Sequence, residues 1–70
     1  MKRHELLRKI KAEAKKHRKL ITQSEGGSHT KLTVGRTSVR IPRHNTINIE
    51  TARDVLRELD QEFGKGWSRL

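Results

Sequence analysis

The hydrophobic pattern of this chain switches from the period of a helix to that of strands and back again. Over about Met1–Arg18, Leu6, Leu7, Ile10 and Ala14 fall three and four positions apart with no glycine or proline between them. That spacing predicts a helix with one narrow apolar stripe. Lys19–Ser24 carries Leu20 and Ile21 and reads as a short first strand. From His29 to Val34 the alternation is clean, with Thr30, Leu32 and Val34 on one face and His29, Lys31 and Thr33 on the other. Thr37–Ile41 repeats it, Val39 and Ile41 joining the apolar face while Ser38 and Arg40 point away. Helical spacing then returns in Ala52, Val55, Leu56, Leu59 and Phe63.

The breaks between these runs carry turn chemistry. Gly26-Gly27 permits a tight turn, and Gly35-Arg36 suits a two-residue type II′ hairpin. Pro42 ends the third strand because it has no N–H for the ladder. Asn48 is placed to cap the closing helix, with Glu50 in its first turn, and Gly64 to end it. The expected order is α-β-β-β-α: an α+β fold with two helices on one face of a three-stranded antiparallel sheet. Residues 1–70 make a single domain with a flexible tail from about 64, in which Trp67 folds back over the small core.

Charge changes the picture most. The 70 residues hold 17 Lys+Arg against 8 Asp+Glu, a net +9. Residues 1–44 carry 13 of the basic and 3 of the acidic residues, the electrostatic footprint of a protein that meets a polyanion. With Phe63 and Trp67 as the only large rings, the chain cannot line a deep apolar pocket, which argues against a small-molecule enzyme. There is no cysteine, and no apolar run exceeds two residues, so disulfides, thiolate metal sites and a membrane span are not expected. A cytoplasmic protein is expected. The basic first helix lacks the aromatic anchors of a membrane-surface helix, and its stripe is needed to cover the sheet.

His29, directly after the glycine turn, is the strongest candidate for chemistry. A histidine ordinarily titrates near 6.5, so it both takes and gives a proton around neutrality. Lys31, two positions on and about 6.6–7 Å away along the strand, can share one phosphodiester with it. Arg40 and Arg43 are further cations for the phosphate, and the amides of Gly27 and Ser28 can grip its oxygens if the turn is concave. His44 is a possible second proton carrier, or simply an anchor for the loop after Pro42. Neither a His-x-x-x-His nor a Glu-x-x-His pairing occurs, so neither metal nor cofactor is expected.

The order basic helix, Gly26-Gly27-Ser28-His29 opening a strand, Gly35-Arg36, then Ile41-Pro42-Arg43-His44 and a closing helix resembles the HicA-type toxin family over about Met1–Phe63. Two features depart from that pattern: a basic Lys15-Lys16-His17-Arg18 connection where a glycine is expected, and no proline near the start of the last helix. The resemblance implies a fold like a double-stranded-RNA-binding domain and a catalytic role for His29. It implies an mRNA-cleaving endoribonuclease, monomeric when free and neutralised by a HicB-type antitoxin. The residues alone also accommodate a non-catalytic RNA-binding module. A DNA-binding protein fits less well, since neither helix carries base-reading residues on a recognition turn.

Overall fold

The computed structural model describes residues 1–67, so the last three positions of the expected tail lie outside the described residues. The order of elements is α1 (Arg3–Lys16), β1 (Ile21–Gly26), β2 (His29–Val34), β3 (Thr37–Pro42), α2 (Ile49–Glu58) and a single further turn, α3 (Asp60–Phe63). The strands form an antiparallel meander in the order β1-β2-β3. This is the expected α-β-β-β-α arrangement.

The alternation along β2 and β3 builds the core. Leu32 faces Val39 and Thr30 faces Ile41 across the strands, so these residues and Val34 offer one apolar sheet face. Leu6, Leu7, Ile10 and Ala14 of α1 pack onto it with Ile47 and with Ala52, Val55, Leu56, Leu59 and Phe63 from the closing helices. Burying a side chain of this size is worth about 1.5–3 kcal/mol, so this one cluster supplies most of the drive to fold. Trp67 folds back against it, edge-on to the Phe63 ring at 4.7 Å, with Lys9 Nζ 5.5 Å from the indole centroid.

Boundaries differ from expectation in four places. The first helix starts at Arg3 because the chain before it pairs with the segment preceding α2: Ile47 N donates to Met1 O and Arg3 N to Asn45 O. β1 starts at Ile21, two residues later than expected. Lys19 N donates to Ala14 O and Arg18 N to Lys15 O, closing a Schellman motif that ties both residues to the end of α1. Leu20, counted above as a strand residue, is left 79% exposed. The β1–β2 turn consists of Gly27 and Ser28, with Gly26 still in the strand opposite His29. The last helix breaks at Leu59, where ψ of 1° and the shorter Leu59 N to Leu56 O bond redirect the chain.

That redirection has a use. It sets Glu62 under the β2–β3 turn, where its carboxylate accepts from Thr37 Oγ1 (2.7 Å) and Arg36 N (3.3 Å) and pairs with Lys19 (3.4 Å). Gly35 has φ +59°, and a side chain there would run into Glu62. Arg36 is not among the positive-φ residues, as a type II′ turn requires.

Arg18 is the one non-glycine with positive φ (+55°) among the described residues. It occupies the C′ position where glycine is ordinarily found. The left-handed conformation costs a side chain about 1–2 kcal/mol, and glycine's greater freedom in the unfolded chain returns part of that. Arg18→Gly should therefore raise stability by roughly 0.5–1 kcal/mol in urea unfolding. An unchanged or lowered midpoint would contradict this assignment of strain.

Candidate active site

With α1 and α2 on the apolar side, the opposite face of the sheet is bare. It carries His29, Lys31 and Thr33 from β2, Ser38 and Arg40 from β3, and Thr22, Ser24 and Gly26 from the edge strand β1. Lys31 is flanked by Ser24 on one side and Arg40 on the other, and His29 lies between Gly26 and Pro42. Ser24, Gly26, Ser28, His29, Lys31 and Arg40 line a shallow depression of about 310 Å³. Gly26 leaves open space on the flank of His29, since it has no side chain to project onto this face.

Ser28 Oγ lies 3.0 Å from His29 Nδ1. This contact arises because Ser28 is in the turn rather than in the strand, where it would have pointed to the other face. It occupies one ring nitrogen, and Nε2 has no hydrogen-bond partner among the described residues. Lys31 and Arg40 are directly opposed across the ladder, and neither pairs with a carboxylate among the described residues. Like charges in that position are unfavourable by a few tenths to about 1 kcal/mol. An anion in the depression removes that cost.

The remaining candidates fall differently. Arg43 does not join the depression: its guanidinium donates to Gly27 O (3.3 Å) and sits 3.7 Å from Glu25, while its own N–H donates to Ser28 O (3.2 Å). Arg43 and Gly27 are thus joined to each other and brace the turn that presents His29. His44 lies exposed in the loop after β3 and does not line the depression. Among the described residues no three His, Cys, Asp or Glu side chains converge as a metal site.

A supporting network on the helix side escaped the sequence reading. Thr30 is fully buried and donates through Oγ1 to Glu25 (2.7 Å). The Arg3 guanidinium donates to Thr30 Oγ1 and to Pro42 O and lies near Glu25. The start of α1 is thereby fastened to both strands flanking His29. The Glu25–Thr30 pairing was available from the register, because a two-residue Gly27-Ser28 turn sets residue 25 opposite 30 and 24 opposite 31. Nothing in the pattern distinguishes Arg3, whose side chain reaches the sheet, from the exposed basic residues of its helix.

Hydrogen bonds from Gln23 and Thr30, aided by the charges of Arg43 and Arg3, hold the Glu25 carboxyl below its ordinary value of 4.5. Glu62 is lowered likewise, chiefly by the Thr37 hydroxyl. A carboxyl lowered in the folded state binds its proton more readily unfolded, so each contributes stability in full above 4.5 and loses it as pH falls through and below that value. Melting temperatures should drop on acidification in that window, and Glu25→Gln and Glu62→Gln should each flatten the drop. A variant with the parent's acid profile would rule its carboxylate out as a contributor.

Compared with known protein families, curated proteins and solved structures, the chain matches none. Among the described residues no helix is long and apolar enough to cross a membrane. A broader and more apolar depression of about 490 Å³ runs along α1 alone, away from His29.

Proposed function

We propose that the bare sheet face binds an RNA phosphodiester and that His29 cleaves it. The observation that carries this reading is the meeting of one oriented imidazole with two opposed, unpaired cations in a single open depression. A flat, solvent-open site suits a polymer rather than a small metabolite.

His29 Nε2 takes the proton from the ribose 2′-hydroxyl. The freed 2′-oxygen attacks phosphorus, the bond to the 5′-oxygen breaks, and that oxygen leaves with a proton from water or from the imidazolium. Lys31 and Arg40 neutralise the charge that grows on the non-bridging oxygens. Ser28 holds the ring through Nδ1, and Gly27 with Arg43 keeps the turn rigid. With one histidine supplying about 10²–10⁴-fold of acid–base help, turnover is slow.

The resemblance to HicA-type toxins fits the same residues, His29 above all. It extends the reading to mRNA as substrate, a bacterial cytoplasm as the setting and a HicB-type antitoxin that covers His29. The chemistry predicts products ending in a 2′,3′-cyclic phosphate with a 5′-hydroxyl on the other fragment. An RNA with deoxyribose at the scissile position should resist cleavage there. Products with 3′-hydroxyl and 5′-phosphate ends would rule out the 2′-oxygen as nucleophile.

The second reading, an RNA-binding module without catalysis, keeps the same cations and gives His29 only a stacking or hydrogen-bonding role. It is favoured if His29 can be replaced with little loss beyond a modest weakening of binding.

A further inference from the structure

The excess of positive charge in residues 1–44 does not form one surface. Lys31 and Arg40 stand on the bare face of the sheet, whereas the cations of α1 project from the helix layer on the other side. Within α1 they are sorted again. His4, Arg8, Lys11 and Lys15 recur at four, three and four positions, the spacing that keeps side chains on one side of a helix. At 1.5 Å per residue the row is about 16 Å long.

All four are exposed, and between them Leu7 and Ala12 form the floor of the depression along this helix. No carboxylate pairs with Arg8, Lys11 or Lys15 among the described residues. Glu13 is turned away, toward Lys16 and His17. The exposed side of α2 differs in composition: Arg53 and Arg57 likewise form no ion pair among the described residues, but they line a depression together with Glu50 and Asp54, so two cations share it with two carboxylates.

We propose that the Arg8–Lys11–Lys15 row is a second phosphate-binding surface, which holds RNA on the side of the molecule away from His29. The inference rests on RNA being the ligand of the His29 face. An uncompensated row of flexible cations, with no rigid base-reading groups, binds the sugar–phosphate backbone and carries no sequence preference. It acts as a tether: RNA held there raises the local supply of phosphodiesters at the cleaving face and contributes to affinity without entering the chemistry.

The test compares two variants that each remove two positive charges four residues apart on an exposed helix, Lys11→Gln/Lys15→Gln and Arg53→Gln/Arg57→Gln. The probe is a single-stranded RNA methylated at every 2′-oxygen, which cannot be cleaved by its own 2′-oxygen. Affinity is followed against salt, with folding checked by circular dichroism. The α1 pair should bind about tenfold more weakly at physiological salt, with a log–log salt slope shallower by about 1.4, two single-strand contacts at about 0.7 each. The α2 pair should bind like the parent.

Equal losses in both variants would overturn the proposal, since net charge alone would explain them. Unchanged RNA affinity would also overturn it, and loss of poly-L-glutamate binding in the α1 pair would then assign the row to an acidic protein. Cleavage of unmodified RNA, assayed alongside, separates this claim from the nuclease reading. A selective loss of binding with no cleavage by the parent leaves the tether standing and removes the nuclease. Cleavage by the parent with equal affinities does the reverse.

Discussion

His29→Ala should slow RNA cleavage by about 10²–10⁴-fold, the usual worth of a positioned acid–base group, and leave the fold intact. The side chain is exposed, its one hydrogen-bond partner is the neighbouring Ser28, and the core lies on the other face of the sheet. Truncation therefore opens no cavity and strands no buried partner. RNA affinity should change little, because the cations that hold phosphate are Lys31 and Arg40. The variant separates the two readings of the site: a catalyst loses its rate, whereas a binding module loses at most a contact. Circular dichroism and urea unfolding identical to the parent's are part of the expected result.

Lys31→Gln/Arg40→Gln should move activity and stability in opposite directions. Cleavage should fall by about two to three orders of magnitude, the scale seen when a transition-state charge partner is removed. Stability should hold or rise by up to about 1 kcal/mol, because a directly opposed like-charge pair is relieved. Ordinary surface lysines and arginines do not behave in this way. A double variant that cleaves like the parent would show the depression to be mere solvated surface. One that unfolds would show that the two stems, and not the charges, matter at this position.

Much of this arrangement is legible in the residues because two periods dominate the chain. Leu32, Val34, Val39 and Ile41 settle the inward face of two strands, so His29, Lys31 and Arg40 fall on the opposite face together. The stripes of α1 and α2 follow in the same way, and Asn48 caps as its type suggests, accepting from Glu50 N at 2.8 Å.

What the pattern hides is decided by other forces. β1 is an edge strand with only Ile21 half-buried, so it has no alternation to read. Its start is set by the hydrogen bonds that close α1 around Arg18. The break at Leu59 leaves no trace because the apolar stripe runs on through it to Phe63. Arg3 and Arg43 look like their neighbours in sequence. Their roles come from reach: each guanidinium spans from one element to a carbonyl and a carboxylate on another. The Gly26-Gly27 pair suggests a turn at both positions, yet Gly26 stays in the strand and forms the open flank of the site.

The most direct test of the central claim incubates the purified chain with RNA in excess chelator, beside His29→Ala, with RNA binding measured for both. Cleavage by the parent, its loss in the variant and equal binding by the two would establish a histidine ribonuclease that works without a metal. Equal binding with no cleavage by either would contradict it and leave an RNA-binding module.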